Sequence, residues 1–131
     1  MTIRKRIGLA AAAIILGSSL ATLPTTEAFA ATCTYVLDAS TGYAYAGSYS
    51  GLTTQPSTTV VTSAGIEAQC LLKKVGENPG TIDGIFGPKS QAAALQFQKK
   101  VNVVANAGLA EDGMVGPKTW PWLRRVAGAA F

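Results

Sequence analysis

The sequence contains no histidine, and this absence removes the side chain that most often acts as a catalytic base. A Ser-His-Asp or Cys-His device cannot be built, because each needs an imidazole to accept the proton of the nucleophile. The usual ligands of a catalytic zinc ion are missing as well. Common hydrolase chemistry is therefore excluded, and we predict neither a metal site nor a cofactor.

Acidic residues are also few, with seven Asp and Glu in the whole chain. Glycoside cleavage by carboxylates alone needs two placed acids or, in special cases, one. The two aspartates among the candidates stand in turns, and Glu77 stands in a loop of Gly, Asn and Pro. The sequence therefore predicts a protein that is not an enzyme. The candidate acids are Glu67, Glu77, Asp83, Glu111 and Asp112.

Long apolar runs are absent except at the N-terminus, where Ile7 to Leu20 is interrupted only by small residues. Three basic residues precede this run, and Ala28-Phe29-Ala30 follows it as a cleavage sequence of the A-x-A type. The run is short for a membrane span. We therefore predict a signal peptide over residues 1–30 and a secreted protein, with a membrane anchor as the alternative.

Little charge remains once this leader is removed. The loss of three basic residues and Glu27 leaves eight Lys and Arg against six Asp and Glu. This surplus is too small to predict nucleic-acid binding. We also expect no association with a membrane after cleavage.

Only two cysteines are present, Cys33 and Cys70. Export to an oxidising space favours a disulfide between them. A bridge of this length stabilises a small domain by about 4 kcal/mol in the chain-entropy model. Two free thiols or a metal site are the alternatives, and no histidine is available to complete such a site.

Residues 31–62 form a segment rich in Ser, Thr, Gly and Ala that holds all four tyrosines, and we call it the arm. Tyr35-Val36-Leu37 and Tyr43-Ala44-Tyr45 could form two short strands; an irregular arm is the alternative. A Cys33–Cys70 bridge would pin the arm across the first helix, with Ile66 as a contact. The four tyrosines are Tyr35, Tyr43, Tyr45 and Tyr49.

The rest of the chain, residues 63–131, has helical periodicity. We predict a first helix capped by Ser63 and ending at Gly76, and a second from Pro88 to about Asn102. A third, short or irregular because of Pro121, should begin at or just after Gly116-Pro117, with Arg124 and Arg125 near its end. The expected core consists of Ala68, Leu72, Val75, Phe86, Phe97, Val101, Val115, Trp120 and Leu123.

One turn motif occurs twice in the sequence, as DGIFGPKS at residues 83–90 and as DGMVGPKT at residues 112–119. The aspartate can accept backbone hydrogen bonds and the glycine can adopt a positive φ. The fourth residue of each copy should enter the core, and the proline should open a helix. The repeat therefore predicts two tight turns, each of which anchors an apolar side chain and starts a helix.

The same turns could hold a ligand. Each places a lysine at a helix N-terminus, where free N–H groups and partial positive charge favour an anion such as the carboxylate of a short peptide. We also place Gln98 on the outward face of the second helix. The candidate ligand-binding residues are Asp83, Lys89, Ser90, Gln98, Asp112, Lys118 and Thr119.

Residues 65–124 resemble the peptidoglycan-binding-like domain of bacterial and phage cell-wall proteins. The matching pattern contains Gln69, Leu71 and Leu72, then IDGIFGP at residues 82–88, and finally DGMVGPKTW at residues 112–120. The resemblance implies an all-α, compact three-helix fold built from two related halves, an extracytoplasmic location and non-covalent attachment to peptidoglycan. The family usually has a shorter connection where this chain carries residues 103–110.

Together these features predict a secreted, non-catalytic protein that binds peptidoglycan, through its stem peptide or its glycan, outside the cell or at the cell wall. The alternative is a secreted interaction or inhibitor protein that acts on a cell-wall hydrolase or another extracellular enzyme. Small size, a disulfide and export fit both functions.

Overall fold

The computed structural model describes residues 30–47 and 51–131, and residues 31–131 form one compact unit. The predicted leader, apart from Ala30, lies outside the described residues, as does Tyr49. Three helices pack together and a two-stranded antiparallel hairpin precedes them, as predicted. The elements are β1 (Tyr35–Asp38), β2 (Tyr43–Ala46), α1 (Ser63–Lys74), α2 (Pro88–Ala105) and α3 (Thr119–Ala129).

The start of α1 is set by a threonine cap. The side chain of Thr62 accepts a hydrogen bond of 2.9 Å from the backbone N–H of Gly65. Ser63 is therefore the first residue of the helix and not its cap, one position from the prediction. At the other end, Gly76 has a φ of 91° and directs the chain away from the helix.

Helix α2 begins at Pro88 as predicted but continues to Ala105, three residues beyond the predicted end at Asn102. Asn106 then ends it in the left-handed conformation, with a φ of 53°. The Asn102 side chain explains the extension. It donates to the carbonyl of Leu109 and accepts from the Leu109 N–H, each at 2.8 Å, so the following loop is tied back to the helix.

Helix α3 is an 11-residue helix that contains Pro121 in its first turn, where a missing N–H breaks no helical hydrogen bond. The prediction that Arg124 and Arg125 lie near the helix end and act on the helix dipole is wrong, because neither is in the last turn. Arg124 lies in the middle of α3 and is 2% exposed.

The core is the predicted one. Eight of the nine expected residues are buried, and Val75 is partly buried and packs against them. Leu71, Ala94 and Ala127 join the core with no exposed surface, and Leu109 enters it from the loop after α2.

The arm packs against the helices. Tyr35 pairs with Ala46 in the hairpin, and Ala44 and Ala46 are buried. A disulfide joins Cys33 to Cys70 of α1, as predicted, with Cα atoms 5.5 Å apart. The Tyr35 hydroxyl donates to the Cys70 carbonyl at 2.9 Å, so the arm is fixed to α1 by a covalent bond and a hydrogen bond.

Candidate functional site

The two repeated turns have the same backbone design. Gly84 and Gly113 have φ values of 80° and 73°, a region that side chains with a Cβ rarely adopt. The Asp83 carboxylate accepts from the N–H two residues later at 3.0 Å, and Asp112 does the same at 2.9 Å. The following residues Phe86 and Val115 are fully buried, which confirms the predicted turn chemistry.

A buried glutamine holds the first turn in place, and we call this arrangement a glutamine clasp. The Gln69 side-chain N–H2 lies within hydrogen-bond distance of the Asp83 carboxylate at 3.1 Å and of the Ile85 carbonyl and the Ser90 hydroxyl at 3.0 Å. The Gln69 side-chain oxygen accepts from the Gly84 N–H at 2.8 Å. The amide therefore joins α1 to both ends of the turn.

The second turn has an equivalent clasp, made by Gln98 of α2. Its N–H2 lies 3.1 Å from the Asp112 carboxylate, 2.9 Å from the Met114 carbonyl and 3.2 Å from the Thr119 hydroxyl. Its oxygen accepts from the N–H of Gly113 at 2.8 Å. The prediction that Gln98 faces outward is wrong, because its amide satisfies buried backbone groups and is 0% exposed.

Sequence reasoning missed the clasps, although a signal for them exists. Each glutamine precedes its aspartate by 14 residues and its Ser or Thr by 21. The repeated unit is thus a helix with the turn that follows it, and not the turn alone. Ser90 also donates to the carbonyl of Pro79 at 2.8 Å, which fixes the loop before the first turn.

Each turn borders an open cavity. The first turn cavity has a volume of about 190 Å³, and Asp83, Lys89 and Ser90 line it with Gln69 and residues 79–81. The second turn cavity has a volume of about 350 Å³ and is lined by Asp112, Lys118 and Thr119 together with Gln55 of the arm. The structure thus brings the predicted ligand-binding residues into two equivalent groups, and Gln98 is outside both.

The polar side chains of these cavities differ in whether they already form hydrogen bonds within the protein. Ser90 and Thr119 are buried and already hydrogen-bonded within the clasps. Lys89 and Lys118 are exposed, and neither forms an ion pair with a residue in the described part of the chain. The lysines are therefore the groups in each cavity that can bind an anion without breaking an internal contact.

A buried ion pair connects α1 to α3. Arg124 donates to the two carboxylate oxygens of Glu67 at 2.9 and 3.3 Å. It also donates to the carbonyl of Leu52 in the arm at 2.6 Å. Burial raises the pKa of Glu67, and the hydrogen bond and charge of Arg124 oppose that rise. This carboxylate has no exposed surface and joins α1 to α3 through Arg124.

Other acids are engaged at the surface. Glu77 pairs with Lys100 at 2.6 Å, and Glu111 accepts from Asn102 at 3.0 Å. Within residues 30–47 and 51–131, no group of three or more acids or cysteines is placed to hold a metal ion. None of the described helices is both long enough and apolar enough to span a bilayer.

Most of the helical part of the chain matches a known protein family. Residues 63–123 match the model of a peptidoglycan binding domain family. These residues therefore resemble a peptidoglycan-binding domain. The match contains both clasps and both turns, so the predicted resemblance is confirmed.

A solved structure supports the same family. The chain is similar to a peptidoglycan-binding protein from Clostridioides difficile, crystallised in complex with glutamine hydroxamate, with 29% sequence identity and a TM-score of 0.53. The similarity covers 72% of this chain and 58% of that protein, so the chain spans little more than half the length of this relative. A search of curated proteins found no match.

Proposed function

We propose that this chain is a secreted, non-catalytic protein that binds peptidoglycan at its first turn cavity. The observation that carries the proposal is the position of this cavity within the peptidoglycan-binding-like domain, with an unpaired Lys89 beside a rigid, clasped turn. The disulfide supports secretion, because such bonds persist in oxidising compartments. The leader sequence supports it independently.

The size and charge of the cavity favour one residue of the stem peptide as the ligand. A volume of about 190 Å³ is below the ~300–1,000 Å³ of pockets that enclose drug-sized ligands. Peptidoglycan stem peptides carry carboxylates, which Lys89 could pair with. The similar protein from Clostridioides difficile was crystallised with an amino-acid derivative, glutamine hydroxamate.

A pull-down with purified, insoluble peptidoglycan tests the proposal. We expect the parent protein to be retained, and the double variant Lys89→Ala/Lys118→Ala to bind about tenfold more weakly, because the charge-assisted contact of Lys89 in the first turn cavity is lost and Lys118 cannot replace it. The matched control is Lys73→Ala/Lys99→Ala, which removes the same charge from exposed positions of α1 and α2 that line neither turn cavity, and it should bind like the parent.

Equal retention of both double variants would refute carboxylate binding at the turns. If the parent is not retained and instead captures a secreted cell-wall hydrolase from culture fluid, the protein is an interaction or inhibitor protein and the proposed function is wrong.

A further inference from the structure

A third cavity lies between the hairpin and the last helix, and it shares no residue with the turn cavities. It has a volume of about 570 Å³. None of its lining residues falls within residues 63–123, so the family match does not account for it. We call it the hairpin cavity, and it is lined by Leu37, Ala39, Thr41, Gly42, Arg125, Gly128 and Ala129.

Arg125 is the charged group of the hairpin cavity. Arg125 is exposed, and its guanidinium carbon lies 5.9 Å from the ring centre of Tyr43 and 5.5 Å from that of Trp122, so it lies beside two aromatic rings. Arg125 forms no ion pair and no hydrogen bond with any described residue. Its planar set of N–H donors therefore has no acceptor in the described part of the chain and is available to a ligand of the hairpin cavity.

Apolar and backbone surface surrounds this charge. Leu37 contributes a side chain that is 43% exposed. Gly42 and Gly128 are in close backbone contact, since a Cβ built on Gly128 would lie 1.9 Å from the Gly42 carbonyl oxygen. A ligand that pairs with Arg125 would therefore meet apolar atoms beside its charged group.

We propose that the hairpin cavity binds the C-terminal carboxylate of a short apolar peptide, with Arg125 as its partner. A planar guanidinium can donate two parallel hydrogen bonds to a carboxylate, and the neighbouring Leu37 can contact the last side chain of the peptide. A sugar ring fits less well, because the described residues that line the cavity include no aromatic side chain on which it could stack. This site is additional to the first turn cavity and does not depend on it.

An NMR titration of the full, disulfide-bonded protein tests this site. The probe is N-acetyl-dialanine with a free carboxylate, and its C-terminal amide is the matched control ligand. We expect the carboxylate to shift the backbone signals of Leu37, Gly42 and Gly128. The amide should bind about tenfold more weakly, because it loses the charge-assisted hydrogen bonds. Acetate alone should also bind more weakly than the peptide, because it lacks the apolar contact.

Two variants locate the effect at Arg125. Arg125→Gln should weaken binding of the carboxylate about tenfold, and Arg125→Lys should give an intermediate loss because it keeps the charge without the planar fork. Lys99→Gln removes the same charge from α2 and should leave this affinity unchanged. The backbone spectra establish whether each variant is folded. If Arg125→Gln is unfolded, the affinity of Arg125→Lys for the carboxylate tests the role of Arg125.

Other outcomes overturn the proposal. These are equal affinity for the acid and the amide, unchanged binding by both Arg125 variants, an absence of shifts in the hairpin cavity, or stronger binding of inorganic phosphate or an N-acetylglucosamine disaccharide there.

Discussion

One buried side-chain amide determines the shape of each repeated turn. An unpaired polar group inside a protein costs about 1–3 kcal/mol, and each clasp glutamine satisfies several such groups at once. Gln69 does this for the turn at Asp83, and Gln98 does it for the turn at Asp112. The lysines that line the turn cavities are therefore held on a rigid base.

The clasp can be tested with Gln98→Ala. This change leaves the N–H of Gly113 and the carbonyl of Met114 without their partner, so we expect the free energy of unfolding to fall by roughly 2–4 kcal/mol. Gln96→Ala is the control, because Gln96 is exposed on the same helix and should change stability by less than about 0.5 kcal/mol. Urea denaturation measures both; similar losses would contradict the clasp.

Two polar residues show why single side chains are hard to place from sequence. Gln98 was predicted on the outward face of the second helix, and Arg124 was predicted near the end of the third. Their partners lie 14 residues away at Asp112 and 57 residues away at Glu67. Helical periodicity contains no information about such contacts. For Gln98 the signal lies in the repeated 14-residue spacing, whereas the buried pair of Arg124 is seen only in the tertiary structure.

At the scale of secondary-structure elements, the start of α2 was easier to predict than its end. Pro88 fixes the start of α2, because its ring favours the first helical position, and the repeated aspartate and glycine identify both turns. The end of α2 was placed too early because the extension to Ala105 depends on Asn102 bonding a loop residue, Leu109. Leu109 lies within residues 103–110, where the resemblance predicts a longer connection than the family usually has.

The contact between the hairpin and α3 depends on a glycine. A Cβ at position 128 would lie 1.9 Å from the backbone oxygen of Gly42, so Gly128→Ala must displace the hairpin. We expect the free energy of unfolding to fall by about 1–3 kcal/mol, as for other overpacked contacts. Gly116→Ala is the control, because a Cβ there would lie 3.8 Å from its nearest neighbour. Thermal unfolding of the two variants should differ; equal midpoints would show that the contact can adapt.

At the scale of the whole molecule, the arm stabilises the domain that it crosses. Its carbonyls accept hydrogen bonds from three parts of the helical domain: Ser57 from the Phe86 N–H, Thr54 from the Trp120 ring and Leu52 from Arg124. The sequence predicted the disulfide and the hairpin, but it did not predict this strap over both halves, because residues 51–62 have no regular periodicity.

Reduction of the disulfide tests how much the arm contributes. Loss of the Cys33–Cys70 bond frees a segment with a sequence separation of 37, so we expect a loss of about 4 kcal/mol in the chain-entropy model. The measurement is urea unfolding with and without a reducing agent. Mass analysis after alkylation under non-reducing conditions is the accompanying check, and two reactive thiols in the native protein would contradict the bridge.

The spacing of the clasps also explains where the repeat stops. Gln98 follows Gln69 by 29 residues, and the residue at the next such interval is Ala127. Ala127 is buried, and its methyl side chain has no amide group that could form a clasp. In its place the hairpin contacts α3 at Gly128. The arm thus acts as a terminal cap for a two-unit array, in the way that end repeats close the exposed face of a solenoid. An elongated array would need a glutamine at this position, a further turn, and a new attachment point for the hairpin.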